Sequence, residues 1–333
     1  MLYSKIVGLG HHVPERVITN EYLSSIMDTN DAWIVERTGI KERRWMDPAK
    51  DTVANMAAKA TRMALQNARL TEKDIDFIVF ATITPDYFFP GSGVLLQREL
   101  GLDGRIAALD VRNACSGFIY ALSVADQFIK TGMYKTILVI GAEIQSTALD
   151  LSTDGRNTAV IFGDGAGAVI LQSSEKPGIL STHLHSDGRF AEELYVKDPG
   201  SSRPQAERQP KQILDTTTYK VVMNGNQVFK HAVVRFMEVI NEALTANRLK
   251  KEDIDLLVPH QANLRINQMV AQLIGLPPEK MHNNIQKYGN TTAATIPICM
   301  YEAIELGKIV PGSLVCLVAF GAGLTWGSAF LRY

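Results

Sequence analysis

Ala64-Leu65-Gln66-Asn67-Ala68-Arg69-Leu70-Thr71-Glu72-Lys73-Asp74-Ile75-Asp76-Phe77-Ile78-Val79 closes a helical pattern, turns, and enters an apolar run. The chain repeats that succession once, as Ala243-Leu244, Arg248-Leu249, Asp253-Ile254-Asp255 and Val258, with Ala64 against Ala243 and Val79 against Val258 at the same spacing of 179. Further matches follow in the same order. Leu100-Gly101-Leu102 answers to Ile274-Gly275-Leu276, Ile140-Gly141-Ala142 to Phe320-Gly321-Ala322, and Gly167-Ala168-Val169-Ile170-Leu171 to Gly327-Ser328-Ala329-Phe330-Leu331. Two copies at a period of about 180 describe a duplicated α/β domain and not a solenoid. Strands alternating with helices in each half predict mostly parallel sheets with helices packed on their faces. The halves are read as 1–175 and 176–333.

Outward from the repeat, the pattern predicts a strand at 6–9, a short helix after Thr19-Asn20, a helix over 30–37 closed by Gly39, and an amphipathic helix over 53–67 capped by Asp51 or Thr52. Strands are expected at 76–82 and 136–140, a helix at 90–100, and a long helix at 226–247. Asp164-Gly165, between apolar runs 159–162 and 166–171, suits a hairpin turn. The polar stretch 186–217, with Pro199, Gly200, Pro204 and Pro210, reads as a long surface excursion.

The 333 residues are 46% hydrophobic, enough for two core-bearing units. With 34 basic and 35 acidic side chains the net charge is −1, which gives no electrostatic case for nucleic acid or an anionic membrane. The N-terminal segment has no basic stretch followed by an apolar core and a cleavage site, and no apolar run nears the ~18 residues that span a bilayer, so a cytoplasmic protein is expected. Cys115, Cys299 and Cys316 have neither disulfide nor metal spacing.

Asp110-Val111-Arg112-Asn113-Ala114-Cys115-Ser116-Gly117-Phe118 joins an apolar run to a helical pattern that stops at Gly132. Cys115 therefore lies at or near a helix N-terminus, where orphan N–H groups and the helix dipole are expected to lower a thiol from its usual value of about 8.5. A buried small hydrophobe is the alternative. Asn290 stands 17 residues before Gly307 as Cys115 stands 17 before Gly132, so the two are expected to begin equivalent helices. His260 follows the strand of the second repeat. If the halves superpose, all three lie at matching ends of sheet elements, where α/β folds bind ligands. Taken singly, His260 is equally a structural hydrogen-bonding residue and Asn290 an ordinary N-cap. Phe320-Gly321-Ala322-Gly323 ends a strand and offers backbone N–H groups to an oxyanion, or is simply a turn.

These residues carry a resemblance. Asp31-Ala32-Trp33-Ile34-Val35-Glu36-Arg37-Thr38-Gly39-Ile40, Asn113-Ala114-Cys115-Ser116-Gly117-Phe118, Phe162-Gly163-Asp164-Gly165-Ala166-Gly167, His260-Gln261-Ala262-Asn263-Leu264-Arg265, Gly289-Asn290-Thr291-Thr292-Ala293-Ala294 and the run from Phe320 to Gly327 make the chain resemble the β-ketoacyl-acyl carrier protein synthase III family, thiolase-fold acyltransferases that start fatty acid synthesis. The resemblance implies a thiolase fold and a catalytic set of Cys115, His260 and Asn290. It implies an oxyanion hole from the backbone of Cys115 and Ala322, and coenzyme A contacts at Thr29, Trp33, Arg37, Arg156, Gly225, Asn263 and Arg265. Phe89 and Phe320 are implied at the acyl pocket, Phe89 reaching that of the partner in a homodimer. The implied substrates are an acyl-coenzyme A and malonyl-acyl carrier protein, with no cofactor and no metal. Three departures stand out. Ala322 replaces a common glycine, Gln272 and Leu273 occupy places where the family often has carrier-docking lysines, and the excursion is long. The last, with Phe88-Phe89, leads us to expect an acyl preference other than acetyl. The alternatives are a related condensing or acyl-transfer enzyme of secondary metabolism with a different acceptor, and a non-catalytic acyl-coenzyme A binding protein. A dinucleotide site at Gly163-Asp164-Gly165-Ala166-Gly167 is disfavoured, because those glycines open no helix.

Overall fold

A computed structural model describes residues 2–197 and 221–333. The elements that position the site are, in chain order, β1 (Tyr3–His12), α1 (Asp31–Thr38), α2 (Val53–Ala68), β2 (Phe77–Ala81), β3 (Ala107–Val111), α3 (Gly117–Lys130), β4 (Thr136–Glu143), β5 (Gly165–Ser174) and β6 (Ile179–Ser186). They continue with α4 (Gly225–Asn247), β7 (Leu256–Pro259), α5 (Leu264–Ile274), α6 (Thr295–Glu305), β8 (Leu314–Gly321) and β9 (Thr325–Arg332).

The repeated residues recur because they do the same work twice. Arg69 and Arg248 end α2 and α4 in the left-handed region, at φ 57° and 54°. This lets Leu70 and Leu249 donate back to the Leu65 and Leu244 carbonyls, each at 2.9 Å. Asp74 and Asp253 then accept from the backbone N–H of Thr71 and Lys250, each at 2.7 Å, fixing the next turn. Asp76 and Asp255 accept from the N–H of Thr136 and Leu314 at 2.9 and 2.7 Å, which ties each incoming strand to its neighbour. Elsewhere the expected caps hold. Asn30 accepts from the Trp33 N–H at 2.8 Å, Gly39 closes α1 at φ 80°, and Thr52 with Asn55 forms a capping box on α2.

The strands form one sheet in the order β1-β5-β4-β2-β3 and another in the order β7-β8-β9-β6. Both are mixed, not mostly parallel: β2/β3, β2/β4 and β7/β8 run parallel, while β1/β5, β4/β5, β8/β9 and β9/β6 run antiparallel. The alternation of strand and helix that suggests parallel pairing holds from β2 to β4 and from β7 to β8. Between β4 and β5 the chain makes only short helical turns at 146–159, with no full crossover helix, and returns antiparallel. The expected hairpin at Asp164-Gly165 does not form. Residues 156–159 are helical, and Phe162 makes a single bridge to Asn290. Asp164 accepts instead from the N–H groups of Met46, Gln145 and Ser146. In the second sheet the place of β3 is reduced to one bridge between Leu257 and Met281.

The two sheets share a core. Ile119, Leu122 and Ile129 of α3 and Ile296, Met300 and Ala303 of α6 lie between them, packed with Val79 and Val139 of one sheet and Val258 and Leu317 of the other. Two further cores cover the outer faces, under α2 on one side and under α4 and α5 on the other. All eight residues of β4 and of β8 are buried, as strands covered on both faces should be. Of the predicted excursion, residues 188–193 form 3₁₀ turns and 194–195 pair with 222–223; 198–217 lies outside the described residues.

Candidate active site

Cys115 sits in a 3₁₀ turn, Ala114–Ser116, that leads directly into α3. Ala114 holds φ 45°, a conformation that L residues adopt only when their surroundings enforce it. The second half has the same turn at Thr292–Ala294 before α6, with Thr292 at φ 52°. The counterpart of Cys115 is therefore Ala293, and not Asn290 as counting back from Gly132 and Gly307 implies. α6 has 11 residues against 14 in α3, and the missing turn displaces the count by three. Each turn seats on a glycine of the other half. A Cβ on Gly321 would stand 2.7 Å from Cys115 Cβ, and one on Gly141 would stand 2.3 Å from the Ala293 carbonyl oxygen.

His260 follows β7, its N–H bonded to the Val318 carbonyl at 2.8 Å. Asn290 lies between Gly289 and the second turn, its N–H bonded to the Ile161 carbonyl and its own carbonyl to the Gly163 N–H. It does not cap α6, whose N-cap is Ala294. Its side-chain oxygen accepts from the Thr292 N–H at 2.8 Å, so the amide NH₂ is left to donate to the Cys115 sulfur. Cys115, His260 and Asn290 all line one cavity of about 130 Å³, closed by Phe320, Gly321, Phe229, Ala232 and Phe236 among others.

Burial governs the charge states. It pushes the Cys115 thiol up to about 12, with the charge of Glu143 adding to the effect and the Asn290 hydrogen bond opposing it. The expectation of a lowered thiol fails here, because desolvation outweighs the half-charge of a helix start. Burial also pushes His260 down to about 3, so its ring is neutral. Glu143, fully buried at the end of β4, is pushed up to about 7 by burial in spite of hydrogen bonds from Thr84, Ile83 and Thr82. A carboxyl raised above its usual 4.5 contributes stability that is complete below about pH 4.5 and lost as pH rises through about 7. Glu143→Gln is expected to flatten that decline. Relative to its value near pH 4, the variant should gain up to about 3 kcal/mol on the wild type by pH 8. Urea unfolding at both pH values measures it, and equal slopes in the two proteins would refute it.

A second cluster flanks the cavity mouth. Arg37 and Arg156 place their guanidinium carbons 4.5 and 5.4 Å from the centre of the half-buried Trp33 ring. Arg156 also donates to the Asp28 carbonyl, and the nearby Thr29 hydroxyl is buried without a partner among the described residues. Asn263 donates to the Arg37 carbonyl at 2.9 Å, which joins α1 to the start of α5, while Arg265 lies 6.0 Å from the Phe229 ring. Gly225 and Asn263 line the cavity itself. Phe320 lines it too, whereas Phe89 is 81% exposed and does not line it. The Ala322 carbonyl accepts from the Thr325 hydroxyl, itself 2.7 Å from the Ser116 hydroxyl, so a hydroxyl pair couples the Cys115 turn to the glycine loop.

Residues 109–188 match the family profile described as 3-oxoacyl-[acyl-carrier-protein] synthase III, and residues 244–333 match its C-terminal counterpart. The chain is 47% identical, over the full length of both, to the β-ketoacyl-[acyl-carrier-protein] synthase III of Alkalilimnicola ehrlichii. The chain belongs to the 3-oxoacyl-[acyl-carrier-protein] synthase III family. Within that family the Aquifex aeolicus crystal structure is similar at TM-score 0.90 and 44% identity, covering 99% of this chain and 100% of its own. The priming β-ketosynthase of the R1128 polyketide pathway is similar at TM-score 0.90 and 30% identity, covering 99% and 96%. As a synthase III the chain is an acyl-transferring condensing enzyme with the thiolase fold. Among the described residues no helix is long and apolar enough to cross a membrane, and no side-chain cluster is arranged to hold a metal ion. Two residues near Cys115 and His260 escape a reading of the sequence. Glu143 looks like the polar end of an apolar strand, and Thr295 is one hydroxyl in the Thr-rich run 291–295. Only the position of Thr295 just inside α6, five residues after Asn290, hints at a role.

Proposed function

We propose that the chain carries out the two half-reactions of a starter condensing enzyme. The observation that carries this reading is the convergence of Cys115 from one half with His260 and Asn290 from the other on a single buried cavity. In the first half-reaction Cys115 takes an acyl group from an acyl-coenzyme A. The Trp33, Arg37 and Arg156 cluster with Thr29 holds the adenine and phosphate end, and Gly225, Asn263 and Arg265 line the way in. In the second, malonyl-acyl carrier protein enters and loses carbon dioxide, which supplies the carbanion without a strong base. Asn290 and His260 stabilise the enolate oxygen, and the backbone N–H groups of Cys115 and Ala322 hold the oxyanion as the carbanion attacks the acyl-cysteine. The product is a β-ketoacyl-carrier protein at the start of fatty acid synthesis. No cofactor or metal enters this scheme.

A homodimer in the cytoplasm is part of the proposal. Tyr87, Phe88 and Phe89 project into solvent beside the open edge of β3, and Phe89 fits a role in the partner's acyl pocket. Apolar Val228, Phe229, Ala232, Phe236 and Phe320 around the cavity suit an acyl chain, and the long 186–217 stretch with Phe88-Phe89 motivates a preference other than acetyl. The likeness to the R1128 priming enzyme supports a second reading, a specialised acceptor in place of the primary carrier. Intact-protein mass spectrometry after incubation with mixed acyl-coenzyme A species tests the first step. A single adduct on Cys115, with a chain of more than two carbons, is the expected result. An unmodified protein would sink the reading, and acylation without carbon dioxide release from malonyl-carrier would select the second.

A further inference from the structure

We propose that Thr295 is a positioning residue that selects which nitrogen of His260 carries the proton, and thereby switches the ring between accepting and donating. The geometry is on the far side of the imidazole from the cavity. His260 Nδ1 lies 2.7 Å from Thr295 Oγ1, and that same hydroxyl donates to the Thr292 carbonyl at 2.9 Å. A hydroxyl has one hydrogen. Spent on Thr292, it leaves Oγ1 as an acceptor, so Nδ1 must carry the ring proton. His260 Nε2 is then a bare lone pair, and it is buried with no partner among the described residues. The resting enzyme thus presents an acceptor to the cavity, not a donor.

This extends the functional reading above, because each half-reaction needs a different ring. In acylation the Cys115 thiol gives its proton to Nε2 as sulfur attacks the thioester. When the C–S bond to coenzyme A breaks, the departing thiolate takes that proton back and leaves as a thiol. His260 ends as it began. In decarboxylation the developing enolate oxygen needs an N–H beside that of Asn290, and a lone pair there would repel it. Rotation of the Thr295 hydroxyl from the Thr292 carbonyl to Nδ1 supplies the alternative. For the proton to move, the ring turns about its Cβ–Cγ bond away from Thr295, gives its Nδ1 proton to water admitted on coenzyme A departure, gains one from that water at Nε2, and turns back with Nδ1 as the acceptor. The helix turn that carries this hydroxyl is buried and strained at Thr292, and among the described residues Oγ1 has these two partners.

The test uses the full-length enzyme labelled with ¹⁵N-histidine, the His260 signals being identified by their loss in His260→Ala. Free wild type is expected to show a protonated Nδ1 and an unprotonated Nε2. Thr295→Ser should keep that pattern, and Thr295→Val should lose it. In single-turnover kinetics Thr295→Val should slow condensation on the order of a hundredfold with KM for both substrates unchanged, and Thr295→Ser should recover most of the rate. A protonated Nε2 in the free wild type, or condensation by Thr295→Val at the wild-type rate, overturns the proposal. Failure of the functional reading shows separately, as a wild type that no acyl-coenzyme A acylates, whereas the nitrogen signals are read without substrate.

Discussion

Cys115→Ala is expected to abolish condensation, by on the order of 10⁴-fold or more, while carbon dioxide continues to leave malonyl-carrier. The two outcomes separate because the groups do. Among the described residues only Cys115 brings a thiol to the cavity to accept an acyl chain, since Cys299 and Cys316 are buried in helix and strand cores and do not line it. Decarboxylation asks for donors to an enolate oxygen, and the variant leaves Asn290 and His260 in place. The Asn290 amide stays oriented because the Thr292 N–H, and not the thiol, holds its oxygen. Counting released carbon dioxide against β-ketoacyl product in the same reaction measures both. Product at a rate near wild type would remove Cys115 from the mechanism, and loss of both activities would place it among the groups that serve the enolate.

Gly321→Ala should cost two to three orders of magnitude in activity without touching any reacting side chain, on the measure that misplacing reactants by about 1 Å costs about a hundredfold. The new methyl would stand 2.7 Å from Cys115 Cβ and 2.9 Å from its backbone nitrogen. Neither is the end of a flexible chain, so the turn itself must retreat. With it moves the N–H group proposed for the oxyanion. Gly104→Ala is the control, since nothing lies within 4 Å of a Cβ there. Turnover and thermal midpoint of the two variants side by side give the answer. A Gly321→Ala enzyme that matches Gly104→Ala in turnover would show that the close seating is idle.

The fold was legible because its repeated residues are polar and have fixed jobs. Asp76 and Asp255 must meet a strand N–H, and Arg69 and Arg248 must turn a helix end, so they survive as visible matches in otherwise different text. Strand direction was not legible. Whether β5 returns parallel or antiparallel depends on what fills the connection from β4, and short helical turns leave no periodicity to read. The sequence named Cys115, His260 and Asn290, which line one cavity, but not the state of the thiol. A cysteine before a helical pattern suggests a dipole-lowered thiol, but that reading ignores Glu143 and the two sheets that close around the turn. The pairing of Cys115 with Asn290 failed for a simpler reason. Counting from the glycines assumed helices of equal length, and the strained residues Ala114 and Thr292 are the true markers.

Those two turns, each resting on the other half's glycine, make the chain in effect a pair of unlike subunits on one thread. A duplicated half inherits two equivalent places for a nucleophile. Here one holds sulfur and the other holds the methyl of Ala293, while Thr295 occupies the place that Gly117 has in the first half. On the functional reading proposed above, the two halves divide the labour, one supplying the attack and the other the hydroxyl and amide that steer protons. The chain therefore loads a single acyl group, although its architecture has two seats.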